Sequence, residues 1–225
     1  MPLPGTLSLP LPGDFVGIAP SATRQFKKWP GVSDIYKSII YRPALAMFKH
    51  DGELIGGPFS IKEGIDHLPT PVSRPKLIQM LYEYVQLLGI PITFGKVAVG
   101  YYELPQCNRA GVVTDKGEHI EADLVIAADG VASKSWKVVS GEENPPRNSG
   151  FSVFRVAYPT NLIYQDPLLK EQYDLKEGDD DICQLFLGEN THGIILVSPK
   201  ITTWMFTHKV RQPTFSDLMS LVGEC

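Results

Sequence analysis

Asp129, Arg74 and Arg155 are the positions where a charged side chain coincides with a local pattern suited to ligand chemistry. Asp129 closes the apolar run Leu124-Val125-Ile126-Ala127-Ala128 and is followed by Gly130 and then Ser133. A carboxylate there accepts hydrogen bonds from sugar hydroxyls or loop amides, and the glycine beside it lets a bulky group approach the backbone. The same residues also suit a strand that simply ends in an Asp-Gly turn. Arg74 stands at the entrance of a helical pattern and carries a planar, permanent charge. A solvated arginine is the competing reading at that position. Arg155 lies in an alternating strand. Turned inward, it would bind a phenolate or carboxylate and stabilise developing negative charge; turned outward, it would sit on a solvated face.

The elements that must position these residues follow from periodicity. Leu124–Ala128 is too short for a helix and apolar throughout, so it predicts a buried parallel strand whose carboxyl end carries Asp129 and Gly130. Ser73 is the expected N-cap of a helix in which Leu77, Leu81, Tyr84 and Leu88 recur at helical spacing and Gly89 is the stop. Ser21 is expected to cap a helix carrying Phe26 and Trp29, closed by Pro30-Gly31. Ser38 to Tyr41 and Leu45 to Phe48 read as strands, with a turn at Asp51-Gly52. Lys96 to Tyr102 reads as a strand, and Gly111 to Thr114 and Glu118 to Glu121 as a hairpin turning at Asp115-Lys116-Gly117. Gly150 to Pro159, Gln184 to Leu187, Gly193 to Val197 and Thr203 to Thr207 predict an antiparallel sheet covering one side of a ligand cavity. Thr214-Phe215-Ser216-Asp217 reads as a capping box that opens a helix.

Composition narrows the function classes. Hydrophobic residues make up 43% and charged residues 20% of the 225, an ordinary globular mixture. The net charge of −4 argues against a nucleic-acid surface or a polybasic membrane patch. No apolar run has the length of a membrane span. Cys107, Cys183 and Cys225 form no CxxC pair, which points to a reducing compartment, the cytoplasm, rather than a disulfide framework or zinc site. The five histidines fall in no ligand pattern, Gly178-Asp179-Asp180-Asp181 lacks calcium-loop spacing, and no nucleophile elbow surrounds Ser133.

The segment Asp123-Leu-Val-Ile-Ala-Ala-Asp129-Gly130-Val-Ala-Ser133-Lys-Ser-Trp136 resembles the second fingerprint of class A flavoprotein monooxygenases of the aromatic-hydroxylase type, akin to salicylate hydroxylase. That fingerprint reads acidic, three apolar, two small, Asp-Gly, two variable, Ser, two variable, Arg. The chain keeps it through Ser133 and places Trp136 at the arginine position, with Lys134 and Lys137 adjacent. Gly17-Ile-Ala-Pro-Ser-Ala-Thr-Arg24 is similar to the turn that follows the family's flavin-binding helix, and Arg74-Pro-Lys-Leu77 with Leu81 to its Arg-x-x-Leu-x-x-x-Leu helix. Arg155 matches an arginine of the substrate lobe, whereas Ile194-Ile-Leu-Val197 lacks the tyrosine some relatives pair with it.

The resemblance implies an α/β fold: a partial FAD/NAD(P)-binding domain, Rossmann-like and of glutathione-reductase type, plus an antiparallel β-sheet substrate lobe. Residues 1–16 are then an irregular arm, 17–149 the partial FAD-binding domain, 150–212 the substrate lobe and 213–225 the start of a helix. It implies Gly17, Arg74, Asp129 and Gly130 as cofactor-binding residues and Arg155 as catalytic. It further implies FAD as cofactor, NADPH or NADH as co-substrate, and a small aromatic or polyketide-like substrate. No GxGxxG occurs in the 225 residues, and the family's later Gly-Asp motif is also lacking, so truncation at both ends is expected. The alternative is a non-catalytic remnant or mis-assembled gene product that serves at most as a ligand-binding or interaction domain.

Overall fold

Proline fixes the start of several elements in this chain by pre-setting φ where no amide donor is needed. A computed structural model describes residues 15–60, 69–142 and 145–210. The expected amino-terminal arm up to residue 14 and the helix expected after Thr214 lie outside the described residues. The chain divides into two units, one built from residues up to Gly89 and from Gly150 onward, the other from Ile90–Ser149.

In the first unit, β1 (Phe15–Ile18) pairs antiparallel with β4 (Thr70–Ser73), setting Phe15 opposite Ser73 and Gly17 opposite Pro71. Helix α1 (Pro20–Phe26) begins at the proline, with Ala19 as N-cap and no side-chain cap bond. Ser21 therefore lies inside the helix rather than capping it, because Pro20 already satisfies the first-turn geometry. Gly31, at φ 77°, turns the chain into α2 (Val32–Ile39), which buries Val32 and Tyr36 one helical turn apart. The strand expected from Ser38 to Tyr41 is instead the end of α2 followed by an isolated bridge from Ile40 to Val72. Burial of Val32 and Tyr36 outweighs the strand propensity of the two isoleucines.

Helix α3 (Arg74–Leu87) follows β4 directly, with Ser73 as N-cap and a stop at Gly89, φ 67°. Phe26, Val32, Tyr36, Val72 and Met80 form the buried cluster, and Leu77, Leu81 and Tyr84 of α3 pack on it. Full burial of side chains such as Val72 and Met80 contributes about 1.5–3 kcal/mol each.

The same unit holds a six-stranded sheet ordered β3-β2-β9-β10-β11-β8. Its strands are β2 (Pro43–Lys49), β3 (Leu54–Ser60), β8 (Phe151–Pro159), β9 (Asp181–Gly188), β10 (Thr191–Val197) and β11 (Ile201–Lys209). All pairs are antiparallel except β2 with β9, so the antiparallel sheet expected from sequence is mixed. It also recruits β2 and β3 from the first third of the chain. Helix α5 (Pro167–Tyr173) opens on Asp166, whose carboxylate accepts from the Leu168 and Leu169 amides at 2.8 and 3.1 Å. With the preceding 3₁₀ turn Thr160–Gln165, it packs Ile163 and Tyr173 against Val197.

The second unit is a meander of β5 (Ala98–Leu104), β6 (Arg109–Thr114) and β7 (His119–Ala122), followed by the short helix α4 (Trp136–Ser140). The turn at Asp115-Lys116-Gly117 is as expected, with Gly117 donating to the Thr114 carbonyl at 2.9 Å. Gly111 lets the Tyr102 ring lie across the strand, since a Cβ there would come 2.3 Å from that ring. The run Asp123–Ala128 is not the buried parallel strand predicted. It is irregular and joins none of the sheets, and Leu124 and Ile126 are 75% and 79% exposed. Burial of such a run on both faces needs flanking strands, and β5 to β7 pair only with one another.

Candidate functional site

The Asp129 turn is the best-formed polar site of the second unit. Gly130 adopts φ 85°, a conformation side chains rarely take, and nothing lies within 4 Å of where a Cβ would project. Backbone here is thus open to close approach by a ligand. The Ser133 amide donates to the Gly130 carbonyl at 3.0 Å and closes the turn. Ser133 Oγ in turn meets Ser135 Oγ at 2.8 Å and accepts from the Ser135 amide at 3.2 Å. Hydrogen bonding from Ser133, and then from the Tyr101 hydroxyl, holds the exposed Asp129 carboxyl below its usual range. Burial and the neighbouring Asp129 carboxylate together push the Tyr101 phenol upward, so it stays a donor. Asp129 is therefore an ionised acceptor facing solvent, ready for hydroxyl or amide donors.

Beside this turn lies a cavity of about 400 Å³ lined by Tyr101, Ser133, Lys134, Trp136, Lys137 and Pro145 among others. Two ammonium groups, two rings and a hydroxyl suit a ligand with both a planar ring and negative charge. Trp136, at the family's arginine position, is the first residue of α4 and is 43% exposed. Tyr101 was not legible as a partner of Asp129, since β5 reaches the turn only through tertiary folding.

Arg74 and Gly17 come together in the first unit. The β1–β4 ladder sets Gly17 two rungs from Ser73, the residue before Arg74. Arg74 is exposed at the head of α3, and a Cβ on Gly17 would sit 3.1 Å from that of Pro69, so glycine keeps this crossing tight. Asp129 and Gly130 belong to the other unit and form their own site.

Arg155 is exposed in β8 opposite Met205. Ladder register places it on one sheet face in a row with Met205, Ile194, Leu185 and Met47. The opposite face carries Phe154, Phe206, Gly193 and Phe186 in the adjacent row. Among the described residues no group of three or more His, Cys, Asp or Glu could hold a metal ion. No described helix is long and apolar enough to cross a membrane.

No protein-family model matches the chain. It is 30% identical over 205 residues to the FAD-dependent monooxygenase fsr3 of Gibberella fujikuroi, covering 87% of this chain and 39% of that protein. It is 32% identical over 207 residues to the FAD-dependent monooxygenase dmxR9 of Cryptosporiopsis, with the same coverage of 87% and 39%. The chain is a homologue of the FAD-dependent monooxygenases. It spans about two fifths of the length of these curated relatives.

The fold agrees with that of solved flavin enzymes. CtdE in complex with FAD and a substrate superposes at a TM-score of 0.78 with 23% identity, covering 94% of this chain and 54% of that one. A salicylate hydroxylase substrate complex superposes at 0.63 with 21% identity, covering 89% and 49%. The α/β reading, a partial FAD-binding domain and a β-sheet lobe, agrees with the fold of these structures.

Proposed function

We propose that this chain provides the flavin-side turn and the substrate sheet of an FAD-dependent, NAD(P)H- and O2-consuming monooxygenase acting on an aromatic or polyketide-like small molecule. The observation that carries the proposal is the Asp129-Gly130 turn. It pairs an open glycine backbone with a carboxylate held ionised by Ser133 and Tyr101, within a segment homologous to such enzymes. In the second unit Asp129 as acceptor and Gly130 as the point of close approach fit part of a dinucleotide; in the first, Arg74 is a charged group of the kind that meets a phosphate. The residues present do not include a GxGxxG turn. FAD, when bound, would supply the redox chemistry that joins NAD(P)H oxidation to oxygen transfer. In this reading Arg155 contacts the substrate and favours its anionic form. The setting is the cytoplasm.

A second reading, a ligand-binding or interaction domain without turnover, draws on the exposed Leu124 and Ile126 and on the lack of a Gly-rich turn. The experiment that separates the two places residues 17–209 in a relative of full length and supplies labelled dioxygen with NADPH or NADH. Labelled oxygen in an aromatic product, lost in the Asp129→Ala variant, supports the monooxygenase. A folded protein that transfers no oxygen supports the second reading.

A further inference from the structure

We propose that the sheet face opposite Arg155 is a binding site for a neutral, flat aromatic molecule, a site separate from any ligand of Asp129 or Arg155. A cavity of about 330 Å³ opens on that face, within the size range of small-molecule sites. Gly193 is part of its lining; a Cβ there would meet only the Met205 carbonyl and the Phe206 ring, both at 3.9 Å, so glycine leaves the surface between the flanking rings low. Phe154, Phe186, Trp204 and Phe206 stand around it, and no charged residue lines it. Phe154, Trp204 and Phe206 are 58%, 38% and 43% exposed, although apolar rings of this size are ordinarily covered.

The ring geometry names the occupant. His208 stacks on Phe154 at 5.6 Å and 6°, and on Phe206 at 5.8 Å and 19°. Phe186 stacks on Phe48 at 5.2 Å and 18°. The rings flanking Gly193 are thus already held in parallel-type arrangements that a further planar ring extends. Two polar features bound the aromatic surface. His208 Nδ1 is buried with no hydrogen-bond partner, an atom left without a match. On α5, which contributes Tyr173 to the lining, the Tyr173 hydroxyl donates to Gln184 Oε1 at 3.1 Å and accepts from Gln172 at 3.2 Å. Rings for stacking, no charge and polar atoms at the margin suit a phenol-like aromatic. An anion finds no cation here, and a bulky aliphatic cannot stack.

The site is independent of the monooxygenase reading, and binding to the 225-residue chain tests it. Calorimetric titration of the chain with 2-naphthol should give saturable, one-to-one binding, and trans-2-decalol, of similar size but not flat, should give none. Gly193→Leu fills the low surface between the rings and should weaken 2-naphthol by about tenfold, the scale of one obstructed ring contact. Phe206→Ala, on the same face, should weaken it comparably, and it serves where Gly193→Leu alters the circular dichroism. Leu124→Ser, on the exposed run of the other unit, should leave binding within about twofold. Equal binding of decalol, no saturation with 2-naphthol, or loss of binding in Leu124→Ser would overturn the proposal. So would a sedimenting dimer that excludes 2-naphthol, which would make this face an interface between copies.

Discussion

Arg155 and Phe154 are neighbours in β8 yet serve opposite faces of the six-stranded sheet, Arg155 in register with Met205 and Phe154 with Phe206. One small ligand cannot rest on both. If Arg155 meets the substrate, the residues sharing its face, Met205, Ile194 and Leu185, are the apolar surface beside it. In a full-length relative carrying this segment, Arg155→Ala should lower kcat/KM by about 10- to 100-fold, the range expected when a charged hydrogen bond is lost. Flavin content, read from the visible spectrum, should not change. Wild-type kinetics in that variant would remove Arg155 from the substrate site.

The Asp129 carboxyl should titrate below an ordinary aspartate, and Ser133→Ala should raise it, because Ser133 is the largest influence holding it down. Tyr101→Phe should raise it by less. A depressed folded-state pKa contributes stability that is present above the usual carboxylate range and lost as pH falls through the folded value. Carbon-detected NMR titration of the side-chain carboxyl reads this directly. An Asp129 resonance indifferent to Ser133→Ala would show that the turn does not tune it.

Cys183 is 5% exposed in β9, and burial pushes its thiol up to about 11. Cys107 is exposed. Iodoacetamide at neutral pH should therefore modify Cys107 and spare Cys183 until the protein unfolds, as peptide mass spectrometry would reveal. The raised pKa also sets a sign. Stability from the neutral thiol is whole below the unfolded cysteine value and declines as pH rises from there toward about 11. Cys183→Ala should flatten that alkaline decline in a pH series of denaturation midpoints.

Two leucines that look alike in sequence should behave differently. Leu196 is fully buried in β10, so Leu196→Ala should cost about 2–5 kcal/mol in denaturant unfolding. Leu124, 75% exposed, should change stability by no more than about 0.5 kcal/mol when replaced by serine. A Leu124→Ser variant as damaged as Leu196→Ala would mean that the run Asp123–Ala128 is packed after all.

What was legible in the sequence was local. The α3 periodicity from Leu77 to Tyr84, the β5–β7 turns and the alternation of β8 to β11 are short-range signals, and the structure follows them. Two features depend on distant partners and left no local trace: the parallel pairing of β2 with β9, and the β1–β4 ladder. Helix α5 had a readable start in Asp166-Pro167, a side-chain cap followed by a first-turn proline. The hydrophobicity of Leu124–Ala128 predicted a buried strand, and the run is instead exposed and paired in no sheet, because burial also needs strands alongside. Of the site, Asp129 and Gly130 carried a motif, whereas Tyr101, brought to the carboxylate by the meander, did not.

The last prediction concerns FAD and the 225 residues by themselves: affinity should be poor, with no stoichiometric yellow complex on purification. Pyrophosphate binding depends on backbone amides converging at a helix start behind a Gly-rich turn. No GxGxxG is present in the sequence, and α3, which bears Arg74, opens with Pro75 in its first turn, removing one of the amides a phosphate would use. An exposed guanidinium can attract a phosphate, but it cannot fix a dinucleotide without that cradle. Asp129 and Gly130 offer only one acceptor and one point of close approach. A flavin titration followed by fluorescence should therefore give a Kd well above about 10 μM, weaker than −7 kcal/mol by the standard conversion. Micromolar or tighter binding with a one-to-one flavin spectrum would mean that the residues present suffice to hold FAD without the Gly-rich turn.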